Sequence, residues 1–359
     1  MIPSARNNPA SSKKMINVLI VDDSIFITEL LRDIINSDPH MRVVSVAHNG
    51  REAVERVKIF TPDVILMDIC MDVLDGVEAV KQIMAEHSTP ILIVTSSLSR
   101  ANAKNIFDAF SHGAMDVFDK GLIEFKADQE SRDQLIRQVR YLGNTPAMIY
   151  DAYKDSHRSR QKSARKRPGP GASNKIVAIV ASTGGPQAIL HILRSFDTDF
   201  PCGILIVQHI AKGFEENFME WLNSGCAIEV KIPKHHELIR PAVAYLAPND
   251  RHLRVNTRRM IELVSDPVLG GFNHSGNVLL KSVAEIYGKA AVGVLLTGMG
   301  TDGAAGMMEI KKRHGVTIAQ DEKSCVIFGM PKAAIDMHAV EKILPLEMIS
   351  QAILDSFEA

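Results

Sequence analysis

The chain has 359 residues, of which 46% are hydrophobic and 23% charged, and its formal net charge is −1. Because single domains usually contain about 100–200 residues, this length predicts two cores of ordinary size. A net charge near zero gives no whole-protein reason to expect a nucleic-acid partner or an anionic membrane. The four cysteines are scattered without CxxC spacing, which argues against a disulfide framework or a thiolate metal site and favours a reducing compartment.

The first 14 residues are polar, and the apolar run that follows them is short, from Ile16 to Val21. Such a run is too short for the hydrophobic region of a signal peptide or for a membrane span. We therefore expect a disordered leader over residues 1–14 and a cytoplasmic protein that is not embedded in a membrane.

Five strand-like segments alternate with helical segments in the first half of the chain. The predicted strands cover residues 17–21, 42–47, 63–67, 90–95 and 114–118. This alternation predicts an α/β fold with a doubly wound, flavodoxin-like parallel sheet. The common strand order 2-1-3-4-5 would place the first and third strands side by side.

Polar side chains follow the ends of four of these strands. Asp22 and Asp23 follow the first strand and Asp68 follows the third, so the three carboxylates are expected to converge. Because converging carboxylates repel one another, they predict a cation, and oxygen ligands suit Mg²⁺. Asp68 could then accept a phosphoryl group, and Thr95 and Lys120 could reach its oxygens. For any single position a helix cap or a solvated charge is the commoner explanation, but five such residues together favour a site.

The segment from residue 15 to 142 resembles a response-regulator receiver domain. The similarity lies in VDDS at 21–24, LMDICM at 66–71, DG at 75–76, TSS at 95–97 and Lys120. It implies that Asp68 is the phosphoacceptor and that a histidine kinase is a partner. Two positions depart from the family pattern, since Asp72 and Gly121 stand where receivers commonly have proline. Both departures affect loop geometry, and neither removes a group that does chemistry.

Residues 143–174 are charged, rich in Ser and Gly, and poor in aliphatic side chains, which predicts a flexible linker. The basic run at 158–167 could bind nucleic acid. A flexible charged linker is commoner, and no aromatic or helical recognition pattern accompanies the charge, so no nucleic-acid partner is expected.

The second half, residues 175–359, returns to strand and helix alternation and predicts a parallel-sheet α/β domain. Apolar strand patterns cover residues 176–181, 203–208, 242–246 and 290–297, and helical patterns cover 213–222 and 279–287. Segments 253–255 and 260–264 flank the turn residues Asn256 and Thr257 and predict an inserted β-hairpin.

Ser182 lies in a small-residue turn between the first of these strands and a helix. Taken alone, it is as readily a helix cap as a nucleophile. Gly298, Gly300 and Gly303 follow a later strand with G-x-G-x-x-G spacing, which also fits a dinucleotide site. Asp302 opposes that alternative, because a carboxylate at a helix N-terminus would compete with a phosphate.

Ser182, His209 and Asp302 all follow predicted strands, and together they supply a nucleophile, a base and an orienting carboxylate. Glycines around Met299 would let backbone N–H groups approach a developing oxyanion.

The second half also resembles the catalytic domain of CheB, the family of chemotaxis protein-glutamate methylesterases. The similarity lies in VASTGGPQA at 180–188, VQHI at 207–210, LAPNDRHL at 246–253, LLTGMGTDGAAGM at 295–307 and QDEKSCVIFGMPKAA at 320–334. It implies a triad of Ser182, His209 and Asp302, with Thr183 and the backbone of Met299 lining the site. Departures occur at Ile210-Ala211 and at NHSGN, residues 273–277.

The family resemblance implies hydrolysis of glutamate methyl esters on cytoplasmic chemoreceptor helices, with release of methanol and often deamidation of glutamines. It also implies that an unphosphorylated receiver covers the catalytic crevice and that phosphorylation of Asp68 uncovers it. We expect a monomer, with Mg²⁺ in the receiver and no cofactor in the esterase site. The alternatives are a nucleotide-dependent enzyme built on the GMGTDG loop and a non-enzymatic response regulator.

Overall fold

The computed structural model describes residues 14–71, 75–96, 100–124, 129–145, 174–210, 213–265 and 274–357. The leader before residue 14 and the basic run at 158–167 lie outside these ranges. Within the described ranges, no helix combines the length and the apolar character needed to cross a membrane.

A parallel five-stranded sheet lies at the centre of the first half, in the order β2-β1-β3-β4-β5. Its strands are β1 (Ile16–Val21), β2 (Met41–Ala47), β3 (Val64–Met67), β4 (Ile91–Thr95) and β5 (Asp116–Asp119). The apolar residues of β1, β3 and β4 are almost wholly buried, as expected for strands covered by helices on both faces. The predicted fold class and strand order are confirmed. The fifth strand starts two residues later than predicted, because the Ala114 N–H still donates to Ala109 O, 3.0 Å away in the preceding helix.

The helices of this half begin directly after the strand ends. They are α1 (Ile25–Asn36), α2 (Gly50–Phe60), α3 (Gly76–Glu86), α4 (Arg100–Ser111), α5 (Gly121–Glu124) and α6 (Gln129–Asn144). Side chains at three N-caps, Ser24, Asn49 and Asp75, accept backbone N–H groups of the first helical turn. These caps fix short turns, so the polar residues after β1 and β3 stay at the carboxyl edge of the sheet.

The second half contains a parallel seven-stranded sheet in the order β14-β13-β12-β6-β7-β9-β8 and an antiparallel hairpin, β10–β11. In chain order the strands are β6 (Ile176–Ala181), β7 (Ile204–Gln208), β8 (Glu229–Lys231), β9 (Val243–Leu246), β10 (His252–Val255), β11 (Ile261–Val264), β12 (Ala291–Leu295), β13 (Val316–Gln320) and β14 (Lys342–Leu344). The predicted parallel sheet with an inserted hairpin is confirmed. The strand predicted at 290–297 ends earlier, at Leu295, because the Thr297 N–H donates to the Gln320 side chain instead of a neighbouring strand.

Helices cover both faces of the second sheet. They are α7 (Gly185–Leu193), α8 (Glu215–Gly225), α9 (Gly276–Tyr287), α10 (Ala304–Lys312), α11 (Met330–Asp336) and α12 (Leu346–Asp355). The helix predicted at 213–222 begins at Glu215, after Gly213, whose φ of +93° is not helical. The helix predicted at 279–287 begins three residues earlier, at Gly276.

The two halves meet through α4 and α8. The ring of Phe107 lies 5.7 Å from that of Phe218 and 5.6 Å from that of Trp221, measured between centroids. The Trp221 indole N–H donates to the Ser111 hydroxyl at 2.8 Å. This aromatic contact therefore places the end of α4 against the second half. The strand β5 follows α4 a few residues later in the chain.

Candidate active site

The turn after β6 holds Ser182 at the carboxyl edge of the second sheet. All six residues of β6 are buried, whereas Ser182 is partly exposed. Its backbone N–H donates to Thr297 O at 3.0 Å, which ties the turn to the end of β12. The N-cap of α7 is Gly184, with a φ of +76° that glycine adopts readily, and no side chain caps this helix. The helix-cap interpretation of Ser182 is therefore wrong.

His209 lies beside this turn because β7 pairs with β6, with Gln208 opposite Ala181. The His209 backbone N–H donates to Ala181 O at 2.9 Å. Its ring Nε2 lies 3.0 Å from Oδ2 of Asp302, which follows β12 on the other side of β6. Three neighbouring strands thus bring Ser182, His209 and Asp302 to one edge, as parallel strands do.

The carboxylate of Asp302 is fixed by the start of α9. Its Oδ1 accepts from the Ser275 hydroxyl at 2.8 Å and from Asn277 N at 3.0 Å, and its Oδ2 accepts from Gly276 N at 2.6 Å. Burial alone would raise the pKa of Asp302, but these donors and His209 hold that pKa well below its usual range. Asp302 is therefore an anion that faces the His209 ring.

Sequence reasoning did not single out Ser275 as a site residue. It appears there only within NHSGN, a segment noted for departing from the family pattern. The signal that could have found it is a serine directly before a helix, whose hydroxyl and following N–H groups favour an anion.

Met299 and Thr183 have different surroundings. The backbone beside Met299 approaches Ser182 closely, since a Cβ atom at Gly298 would lie 2.7 Å from Ser182 Cβ. Thr183 is buried, and its hydroxyl donates to Oδ2 of Asp116, in the first half, at 2.5 Å. The Thr183 side chain is thus held by β5, which the sequence did not predict.

The glycine-rich loop at residues 298–303 contains Asp302, whose carboxylate accepts hydrogen bonds from two helix N-termini. Asp302 accepts from its neighbour Gly303 N at 3.0 Å in addition to the α9 donors, so its carboxylate lies at the N-termini of both α9 and α10. A pyrophosphate in this loop would meet a fixed negative charge. The geometry favours the catalytic interpretation of the loop over the dinucleotide one.

The second cluster predicted from the sequence lies at the carboxyl edge of the first sheet. Oxygen atoms of Asp22, Asp23 and Asp68 lie within 4.8 Å of one another. The Lys120 ammonium lies 2.5 Å from a carboxylate oxygen of Asp22 and 2.5 Å from one of Asp68. Thr95 is buried at the end of β4, next to β5. The structure brings all five predicted residues to one edge.

Charge and burial oppose each other in this acidic cluster. Burial raises the pKa of Asp22, Lys120 lowers it in part, and the charge of Asp68 raises it further, so that the net direction is up. Burial lowers the pKa of Lys120, but Asp68 and Asp22 outweigh burial and the net pKa is raised. Lys120 therefore stays an ammonium, and one ammonium faces three acids. The set retains an excess of negative charge that suits a divalent cation with oxygen ligands.

Several sequence features fall outside the described residues, namely Asp72, Ala211 and Asn273. Gly121 is described and opens α5, where its N–H donates to Asp119 Oδ1 at 2.9 Å. Ile210 packs partly buried against the core.

An acidic, lysine-containing edge on one doubly wound sheet and a Ser-His-Asp edge on another define a response-regulator hydrolase. Comparison with known families makes this specific. The CheB methylesterase family model matches residues 177–353, and the response regulator receiver domain model matches residues 18–127. The chain belongs to the CheB methylesterase family, and it is a methylesterase that carries a receiver domain.

Similar proteins extend over nearly the whole chain. A protein-glutamate methylesterase/protein-glutamine glutaminase of Pyrococcus horikoshii is 37% identical over 96% of this chain and 94% of its own. One of Nitrosospira multiformis is 39% identical over 94% of this chain and 96% of its own. The crystal structure of the Thermotoga maritima CheB methylesterase catalytic domain matches with a TM-score of 0.50 and 33% identity, over 51% of this chain and 99% of that one.

Replacing Ser275 should weaken the orientation of Asp302. Ser275→Ala removes one of the donors to Oδ1, and we expect kcat to fall by about 10-fold, equivalent to roughly 1.4 kcal/mol. Methanol release from a methylated substrate measures this. Ser282→Ala is the matched control, because Ser282 lies on the same helix and donates to Leu279 O inside the core. Equal losses in the two variants would contradict the role given to Ser275.

Proposed function

We propose that the chain hydrolyses glutamate methyl esters on proteins, with Ser182 as nucleophile, His209 as general base and Asp302 as the orienting carboxylate. The observation that carries this proposal is the 3.0 Å contact between His209 Nε2 and Asp302 Oδ2 beside the turn that bears Ser182. A serine hydroxyl is a weak nucleophile at neutral pH and needs such a base. The relatives of Pyrococcus horikoshii and Nitrosospira multiformis are named protein-glutamate methylesterases, which supports the substrate class.

The first half of the reaction forms an acyl-enzyme. Because Nε2 of His209 binds Asp302, Nδ1 is the nitrogen that takes the Ser182 proton while Oγ attacks the ester carbonyl carbon. The carbonyl oxygen becomes an oxyanion, which backbone N–H groups at Thr183 and Met299 stabilise. The Asp302 carboxylate balances the imidazolium that forms.

The second half restores the serine. The tetrahedral intermediate expels methanol, which takes its proton from His209, and the glutamyl group stays on Ser182. His209 then deprotonates a water molecule, which attacks the acyl carbon. The bond from that carbon to Ser182 Oγ breaks, Oγ takes the proton back from His209, and the glutamate carboxylate is released. A glutamine substrate follows the same steps with ammonia as the leaving group, so the deamidase activity uses the same residues. These steps call for no cofactor.

We assign the substrate to the cytoplasmic helices of methyl-accepting chemoreceptors, and the phosphoryl source to a chemotaxis histidine kinase that modifies Asp68. The carboxylates of Asp22, Asp23 and Asp68 fit Mg²⁺, since the three offer oxygen ligands and an excess of negative charge. When bound, Mg²⁺ would neutralise charge on the transferring phosphoryl group. Thr95 and Lys120 would contact the phosphoryl oxygens.

We further propose that the receiver domain inhibits the esterase when Asp68 is unphosphorylated. The support is the contact of the segment before and at the start of β5 with the nucleophile turn. Asp116 accepts from the Thr183 hydroxyl, Met115 O accepts from Gly184 N at 3.3 Å, and Ala114 O accepts from the Gln187 amide. The nucleophile turn is held between two domains, and phosphorylation would loosen this hold.

The domain layout proposed is a leader to residue 14, a receiver at 15–142, a linker at 143–174 and a catalytic domain at 175–359. We also propose that the protein acts as a cytoplasmic monomer.

Removing the nucleophile tests the esterase directly. Ser182→Ala should lower kcat for methanol release from methylated receptors by about 10⁴-fold or more, because the base then has no hydroxyl to activate. Ser324→Ala, a serine outside the site, should retain activity. Wild-type rates in Ser182→Ala would exclude the mechanism.

Removing the phosphoacceptor tests the regulation. Asp68→Asn should fold normally, keep the unstimulated rate and lose activation by a small phosphoryl donor, because an amide cannot be phosphorylated. Asp33→Asn, an exposed position on α1, should be activated like the wild type. Full activation of Asp68→Asn would show that the receiver assignment fails.

Asp116 should make the contact between the receiver domain and the Ser182 turn sensitive to pH. This contact is called closure below. Burial raises the pKa of Asp116 to about 6, although the donors Thr183, Val117 and Gln138 lower it, and an Asp116 freed of this burial would return toward the ordinary value of 3.8. Closure is therefore strongest below pH 4, weakens as pH rises from 4 to 6, and is opposed above that by at most about 3 kcal/mol. Asp116→Asn removes the charge but keeps an oxygen for Thr183, so closure should become tighter and independent of pH.

The chain contains a single tryptophan, Trp221, and it lies in the contact between the halves. Its fluorescence, followed from pH 4 to 7, should change in the wild type and stay constant in Asp116→Asn, which should also have a lower unstimulated esterase rate. Asp119→Asn is the control on the same strand and should behave like the wild type. A pH response that persists in Asp116→Asn would rule out this carboxyl as its source.

A further inference from the structure

A second histidine lies next to the proposed base. His274 is only 5% exposed, and its ring centroid is 5.5 Å from that of His209 at an interplanar angle of 67°. The contact is edge-to-face, an arrangement that aromatic rings favour. His274 also interacts with the backbone of Asn249 and of Gln208, the residue before His209. Its ring is thus anchored to the same strand end that carries the base.

His274 is neutral over the range in which an esterase works. Burial lowers its pKa to about 4, and the neighbouring His209 contributes in the same direction, while backbone groups and Asp302 oppose the shift only in part. A charged ring here would repel the imidazolium that forms on His209. A neutral ring adds no repulsion and excludes water from that side of the base.

One short segment therefore contacts both the base and the orienting carboxylate of the proposed triad. His274 packs against His209, and the three residues after it bind Asp302. The bond from Nε2 to Asp302 holds one atom of the His209 ring, but a single hydrogen bond still allows the ring to twist about its Cβ–Cγ bond. A ring packed at 67° against the imidazole limits this rotation.

We propose that His274 is a positioning residue that holds the plane of the His209 ring, so that Nδ1 stays directed at Ser182 while Nε2 stays on Asp302. The inference rests on the proposed function and concerns the orientation of the base. His274 does not exchange protons with the substrate. Misplacing a reacting group by a small distance costs rate without changing substrate affinity, and this distinguishes positioning from substrate binding.

Two variants test whether the effect of His274 depends on a packed ring: His274→Ala removes the ring and His274→Phe keeps one. His274→Ala vacates the space beside His209, and we expect kcat for methanol release by the phosphoryl-activated full-length chain to fall about 10-fold with KM nearly unchanged. Water entering the vacated space would change the surroundings of the base, so the pH profile of kcat/KM should differ from that of the wild type. His274→Phe keeps a neutral ring and should recover most of kcat, with its acid limb near that of the wild type.

Leu253→Ala controls for general loss of packing, because Leu253 is buried in the core of the second half. It should lower the unfolding temperature but leave kcat per folded molecule and the pH profile unchanged. Ser182→Ala is measured in parallel, and its activity tests the proposed function by itself. If Ser182→Ala is inactive while His274→Ala keeps wild-type kcat and pH profile, the positioning role is wrong and the triad stands. An equal loss in His274→Phe and His274→Ala would also overturn the role of ring packing.

Discussion

The hydrogen bonds to the Asp302 carboxylate are the constraint on which the catalytic edge depends. A buried carboxylate is costly unless donors surround it, and here the donors come from His209 and from the first turn of α9. The same bonds therefore fix the His209 ring, the start of α9 and the loop after β12 at once. Gly276 also lies so close to β6 that a Cβ atom there would be 2.3 Å from Val180 Cγ1. The packing of α9 against the sheet and the position of the Asp302 carboxylate therefore depend on each other.

The short strand β5 connects the two functional edges. Lys120 follows its last residue and binds Asp22 and Asp68, and Asp116 at its first residue binds Thr183 beside the nucleophile. Four residues of extended chain span about 13 Å. On the proposed function, a phosphoryl group on Asp68 would compete for Lys120 at one end of a strand whose other end holds the nucleophile turn. Regulation would then need no large rearrangement within the receiver, only a shift in how β5 is held.

The fold could be predicted from the sequence because parallel strands that are buried on both faces consist of continuous runs of apolar residues. The short edge strands β8 and β14 carry no such run, since each has three residues and is partly exposed, and they were missed. The proximity of Ser182 and Asp302 could be predicted, because parallel topology fixes where strand ends meet. Ser275 and His274 were not found, because they reach the site from a helix N-terminus. Their partners are distant along the chain, and no local periodicity reports such contacts.

The two carboxylate sites lie at equivalent places, the carboxyl edges of parallel sheets. Their surroundings nevertheless shift the carboxyl pKa values in opposite directions. At the first edge, burial and a neighbouring carboxylate raise the pKa of Asp22. The Lys120 ammonium there faces the three carboxyl groups of Asp22, Asp23 and Asp68, so an added cation is favourable. For the same reason, the negative charge of an added phosphoryl group would need a counterion. At the second edge, neutral donors and an imidazole lower the pKa of Asp302. A single carboxylate there faces a single imidazole. On the proposed function, the charge that develops is that of the imidazolium, and the carboxylate already supplies its counter-charge. Environment rather than residue type therefore makes one aspartate set suited to receive a phosphoryl group and the other suited to support proton transfer.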